Sequence, residues 1–213
     1  MDLLDPVEVR VLGALIEKEA ATPEYYPLSL NALVNACNQK SNRDPVVNYD
    51  EDTVQDALDR LREKKLALMV TGSGRVNKFA QRISETLNLG RRELAVLAVL
   101  LLRGPQTLGE LKDRSERMFS FGDLSETESV IEKLAEWPGG PLTTKLARQP
   151  GQKEARYAHL LSGEPVSSQT HAADAHEPQP SSRLADLERE VSQLRSEIDD
   201  LKRRVDEMQA LFS

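Results

Sequence analysis

Apolar residues along the chain recur in short blocks with helical spacing. Val9, Leu12, Leu15 and Ile16 follow Asp5-Pro6, a capping carboxylate with proline at the first helical position. This first helix ends by Thr22-Pro23, because proline disfavours helix in the residue before it. Tyr25-Tyr26-Pro27-Leu28 reads as extended chain, and Ser29 caps a second helix with Leu30, Leu33, Val34 and Cys37. A polar connector spans Asn38 to Val47. Asp50 caps a third helix, with Val54, Ala57, Leu58 and Leu61 on one face and Lys64 and Lys65 in the last turn. Leu66 to Val70 is a short apolar strand, Thr71-Gly72-Ser73-Gly74 a turn, and Arg75 to Arg82 a return strand carrying Val76 and Phe79.

The same order then recurs. Arg91 to Leu102 is a very apolar helix stopped by Gly104-Pro105. Thr107 caps a short helix with Leu108 and Leu111, and Phe119 to Asp123 connects. Ser125 caps a third helix with Val130, Ile131, Leu134 and Trp137, and Glu128 completes a capping box. Leu142 to Leu146 and Arg156 to Leu161 form a hairpin around Gln149-Pro150-Gly151-Gln152. Pro27, Ser29, Leu30 and Leu33 align with Pro105, Thr107, Leu108 and Leu111. Asp50, Val54 and Leu58 align with Glu126, Val130 and Leu134, and Phe79-Ala80 with Tyr157-Ala158. Two copies of one small fold are expected. Helix, short strand, two helices and a hairpin is the order of a winged helix-turn-helix.

After residue 162 the pattern changes. Gly163 to Ser182 is rich in Pro, Ser and Ala, lacks periodicity and reads as a flexible linker; its His171 and His176 are solvated side chains rather than metal ligands. Leu184, Leu187, Val191, Leu194, Ile198, Leu201, Val205, Met208 and Phe212 then alternate spacings of three and four. β-Branched residues at most a positions, leucine at most d positions, and opposite charges at Arg183/Glu188, Glu190/Arg195 and Glu197/Lys202 favour a parallel two-stranded coiled coil. The expected fold is mainly α with small β-hairpins (α+β): tandem winged-helix domains over 1–84 and 85–162, a linker over 163–182, and a coiled-coil helix over 183–213.

Charge refines this picture. The 213 residues carry a net charge of −7, and 39% are hydrophobic. The last fifty residues hold 6 basic against 11 acidic side chains, so the acidity is concentrated in the tail and the body can carry basic patches. Bulk charge gives no support for non-specific binding to DNA or anionic membranes. The start Met1-Asp2-Leu3-Leu4-Asp5 has no signal core, and the longest apolar run, Leu94 to Leu102, is about half the ~20 residues a membrane span needs. A cytoplasmic protein is expected.

Catalytic chemistry finds little footing. Cys37 is the single cysteine, which excludes a disulfide framework and a multi-cysteine metal site. It lies on an apolar face, as a buried structural thiol would. His159 is the only histidine of the body, and no nucleophile–base trio has catalytic spacing. Gly72-Ser73-Gly74 lacks the remainder of a phosphate-binding loop. The protein is expected to be no enzyme and to hold no cofactor and no metal.

Nucleic-acid contact finds more. A winged helix places its third helix in the major groove and its wing on the backbone. The candidate contacts are Gln39, Lys40, Asn42 and Arg43 before the third helix, Arg75, Lys78 and Arg82 in the first wing, and Lys145, Arg148, Lys153 and Arg156 in the second. Against this, both third helices are acidic: Asp50, Glu51, Asp52, Asp56, Asp59 and Glu63 in one, and Glu126, Glu128, Glu132 and Glu136 in the other.

The run from Thr22 to Leu33 (Thr-Pro-Glu-Tyr-Tyr-Pro-Leu-Ser-Leu-Asn-Ala-Leu), continuing as Asn35-Ala36-Cys37-Asn38-Gln39-Lys40-Ser41-Asn42-Arg43-Asp44-Pro45-Val46, closely resembles the YceH-like family of bacterial proteins, the domain of unknown function numbered 480. The resemblance covers about residues 3–162. It implies a pair of winged-helix domains in a bacterial cytoplasmic protein and supplies no catalytic residues. Two functions remain open. The first is a DNA-binding, regulator-like homodimer paired by the C-terminal coil. The second is a structural adaptor whose tandem winged helices bind protein.

Overall fold

A computed structural model describes residues 2–70, 76–148, 151–152 and 154–165. The coiled-coil positions, most of the linker, the first turn with Arg75, and Lys153 lie outside the described residues.

Asp5 starts the fold. Its carboxylate accepts from the Val7 and Glu8 amides, and Glu8 reaches back to the Asp5 amide at 2.8 Å, closing a capping box over α1 (Pro6–Ala21). A 3-10 turn over Pro23–Tyr25 replaces part of the extended stretch expected there. β1 (Leu28–Ser29) leads to α2 (Leu30–Cys37), capped by Ser29, and Asp50 caps α3 (Glu51–Glu63). β2 (Ala67–Val70) and β3 (Lys78–Gln81) complete an antiparallel sheet in the order β1-β3-β2. Leu28 pairs with Phe79 and Met69 with Phe79 from the other side. The return strand is shorter than expected, and Val76 lies exposed ahead of it. A one-turn helix, α4 (Ile83–Thr86), was not legible in the pattern; it buries Ile83.

α5 (Arg91–Arg103) ends at Gly104, whose φ of +69° only glycine adopts without strain. Thr107 caps α6 (Leu108–Ser115) with a Glu110 capping box. α7 (Leu124–Ala135) is capped by Asp123, two residues before the expected Ser125, and stops before Trp137. The Glu126 carboxylate accepts from the Gly122 amide at 2.9 Å, so two carboxylates satisfy the free amides of this end. β4 (Thr143–Lys145) and β5 (Tyr157–His159) form the second hairpin. The molecule is mainly α with small antiparallel strand pairs.

The expected internal correspondence has a counterpart in backbone pairing. Gln106 bridges Tyr157 as Leu28 pairs Phe79, at positions shifted by the same number of residues, 106 − 28 = 157 − 79 = 78. The two halves also share one core. α1 lies along α5, and Gly13 is the point of closest approach: a Cβ there would stand 3.0 Å from Leu101 Cβ and the Leu102 side chain. Leu12, Leu15, Ile16, Leu97 and Leu100 are buried in this seam. Burying such a side chain stabilises by about 1.5–3 kcal/mol. Residues 2–165 thus fall in one compact unit rather than two spaced beads.

Candidate functional site

α3 turns Val54, Ala57, Leu58 and Leu61 inward. Its solvent face is therefore fixed by the 3.6-residue period: Glu51, Asp52, Asp56, Asp59, Arg62 and Glu63 are exposed. Arg62, the one cation among them, is paired with Asp59 at 2.7 Å. Two further basic side chains at this end of the helix point back into the molecule, while Lys65, just past it, is exposed. Arg60 meets Asp5 at 2.9 Å, and Lys64 donates to both Glu8 oxygens at 2.7 Å and to Leu3 O at 2.9 Å. α7 repeats the arrangement. Glu128 and Glu132 are exposed, while Lys133 is drawn to the buried Glu93 at 2.6 Å and lies over the Trp137 ring.

The connector between α2 and α3 is built into the fold. Arg43 is buried, 6% exposed. It donates to Ala36 O, to Asn42 O, to Gln39 Oε1 and, at 2.6 Å, to the buried Glu17 of α1. Glu17 also receives Arg117, beyond α6, at 3.1 Å. Asn42 accepts from Arg103 of α5 at 2.6 Å, and the Asp44 amide donates to Leu102 O. Asn38 holds the Tyr49 backbone through both its amide oxygen and its amide nitrogen. Arg43, expected to reach phosphate or base edges, is thus corrected to a buried joint between the halves. Gln39 and Asn42 serve the same joint. The reason is a counter-ion far away in sequence: Glu17 is buried, and Arg43 is its buried partner while Arg117 reaches it from the surface.

The remaining expected contacts are spread over the surface. Lys40 and Lys78 are exposed and make no ion pair with a described residue. Arg82 pairs with Glu85 at 3.3 Å. In the second half Lys145 lies over the Tyr157 ring, Arg148 donates to Gln152 O, and Arg156 binds Pro105 O and Glu110. Arg75 and Lys153 fall outside the described residues.

Titratable groups inside the fold are tuned by burial. Burial pushes the Cys37 thiol up to about 12, against the opposing pull of Arg43 and Arg10, so it is a protonated, unreactive thiol at neutral pH. Burial lowers His159 to about 4, so its imidazole is neutral. Among the described residues no cluster of three or more His, Cys, Asp or Glu is placed to hold a metal ion, and no helix is long and apolar enough to cross a membrane. Sequence reasoning missed Glu17 and Arg10. For Arg10 the available signal was its position between Val9 and Val11; Glu17 opens the charged stretch Glu17-Lys18-Glu19, and nothing in the pattern set it apart as buried.

A mainly helical unit with small antiparallel strand pairs, a sealed connector and acidic helix faces defines the class of fold, and comparison with known proteins then gives the family. The model of the family described as "Protein of unknown function, DUF480" matches residues 4–152, and the chain belongs to that family. It is 54% identical over 203 residues to a UPF0502 protein of Solibacter usitatus, covering 94% of this chain and 97% of the relative. It is 53% identical over 216 residues to a UPF0502 protein of Pelobacter propionicus, covering 99% and 98%. A UPF0502 protein of Geotalea daltonii is 58% identical over 182 residues, covering 85% and 81%.

Proposed function

We propose that this chain is a non-enzymatic protein-binding adaptor: two winged-helix units, paired into a homodimer by the C-terminal heptads, that present the acidic faces of α3 and α7 to a basic segment of a partner protein. The observation that carries the reading is the solvent face of α3, whose exposed charges are carboxylates apart from one arginine already paired. The winged-helix reading rests on the element order and on the strand pairing repeated 78 residues apart. In that fold the third helix is the element that enters the DNA groove. A row of carboxylates there meets phosphate with like charge, and the same row attracts lysine and arginine.

A DNA-binding, regulator-like dimer is the second reading. It is favoured by exposed Lys40, Lys78, Lys145 and Arg148 around the connector and hairpins. A mobility-shift titration at low salt separates the two. The adaptor reading expects no shift of mixed genomic DNA at concentrations well above ~10⁻⁶ M, the tight end of non-specific binding. It expects DNA binding to appear in the D56K/D59K/E63K variant. A photo-crosslinking residue at Asp56 is expected to form protein adducts in cells, lost when Asp52 and Asp59 become lysine. Wild-type DNA binding tighter than ~10⁻⁶ M, without protein adducts at Asp56, overturns the proposal in favour of the second reading.

A further inference from the structure

A cavity of about 420 Å³ opens at the seam of the two halves, between α1, the Asp44–Tyr49 stretch, the end of α5 and β5. Its volume lies within the usual range of small-molecule sites. Most of its wall is apolar, from Val9, Pro45, Val47, Leu100, Leu101 and Ala158. Among the polar residues of that wall, Arg10 and His159 each have a buried nitrogen without a hydrogen-bond partner: Arg10 Nε and His159 Nδ1.

Arg10 is the unusual feature. It is 4% exposed, and a guanidinium stays protonated in proteins. Its terminal nitrogens donate to two backbone carbonyls, Cys37 O at 3.3 Å and Pro45 O at 2.6 Å. Among the described residues no carboxylate pairs with it within 4 Å. Arg43 nearby has Glu17, and Lys64 and Arg60 have Glu8; Arg10 alone of these cations has no carboxylate in direct contact, Asp44 acting on it only from a distance. A buried cation without an anion is costly, and buried charges are paired or bind ligands. The neutral imidazole of His159 adds a second group that can donate from Nδ1 in one tautomer. Asp44 and Glu164 also line the cavity and are exposed, so the site discriminates against multiply charged anions such as phosphate esters.

We propose that this cavity binds a small monocarboxylate with an apolar body, its carboxylate supplying the missing counter-ion of Arg10 and its body lying on the valine, proline and leucine wall. His159 Nδ1 is a further donor to the bound molecule. Because the wall is drawn from α1 and the connector on one side and from α5 and β5 on the other, the ligand bridges the two halves. The inference is independent of what α3 and α7 bind.

The test is a titration of the full chain with sodium benzoate and sodium octanoate, followed by amide and methyl chemical shifts, with benzyl alcohol as the uncharged control. Saturable shifts confined to Val9, Tyr49, Leu101 and His159 and their neighbours are expected, with dissociation constants near or below ~1 mM and binding at least about tenfold weaker for benzyl alcohol. Arg10→Gln is expected to weaken carboxylate binding by at least about tenfold. His159→Phe, which removes the Nδ1 donor without removing a charge from the core, is expected to weaken carboxylate binding and serves where Arg10→Gln does not fold. Absence of saturable shifts with both carboxylates up to ~10 mM overturns the proposal, as does benzyl alcohol binding with equal affinity, or full carboxylate binding by His159→Phe.

Discussion

Glu17 shows how a single side chain decides what its neighbours do. It closes the apolar run of α1 and is 2% exposed, held by Arg43 at 2.6 Å and Arg117 at 3.1 Å. Removing one member of such a pair strands the other in the core. Glu17→Leu is therefore expected to destabilise the chain by roughly 3–5 kcal/mol, and Glu17→Leu with Arg43→Met to recover much of that loss. Urea unfolding checks both; a single variant within about 1 kcal/mol of wild type contradicts the role assigned to the pair. His159 gives a pH dependence. Its folded pKa of about 4 lies below the unfolded value near 6.5, so the unfolded chain takes up the proton first as pH falls. The stability tied to the neutral imidazole is fully present above about pH 6.5 and is lost as pH falls from there toward 4. Between pH 7.5 and 5 wild type should lose on the order of 1–2 kcal/mol more than His159→Gln, read from denaturation midpoints at each pH. Equal losses in the two proteins would remove His159 from the account.

Among the elements, helix starts were the most legible feature and also supplied one displacement. Asp5, Ser29, Asp50 and Thr107 cap as their spacing predicted, because a cap bonds to amides two or three residues on and depends on nothing distant. In α7 two cap residues compete, and Asp123 prevails over Ser125 because Glu126 can then reach back to the Gly122 amide. Asp123→Ala is expected to cost about 1 kcal/mol, and Ser125→Ala, now inside the helix and exposed, well under 0.5 kcal/mol. Thermal unfolding of the two variants checks the assignment, and the reverse order refutes it. The connector between α2 and α3 was legible as polar and as part of a family motif. Its work was not. Arg43, Asn42 and Asp44 bind Glu17, Arg103 and Leu102, which lie on other elements up to 61 residues away.

For the whole molecule, the seam between α1 and α5 joins the first and second halves of residues 2–165 into one body. Gly13 allows the helices to touch, and Leu4 N–H to Leu161 O ties the chain's start to the end of the second half. This seam creates the cavity beside Arg10, which neither half contains alone. The proposed pairing of two chains rests on the heptad pattern from Leu184 to Met208, which lies outside the described residues. Deleting residues 182–213 is expected to lower the sedimenting mass from dimer to monomer while leaving the helical circular dichroism of residues 2–165 intact. An unchanged oligomeric state would move the dimer contact to the body.

The sequence by itself determined most of the order of helices and strands, most of their caps, the burial of Cys37 and the membership of the family. These follow from interactions within a turn or two of helix, or from a period that one face must bury. The tertiary structure alone decided which charges are free. Arg43, Arg60 and Lys64 read as surface cations until Glu17, Asp5 and Glu8 arrive beside them, and Arg10 reads as ordinary until it proves to be buried on backbone carbonyls with no carboxylate in direct contact. A charge is satisfied or stranded by groups brought close through folding, and sequence distance carries no record of that proximity.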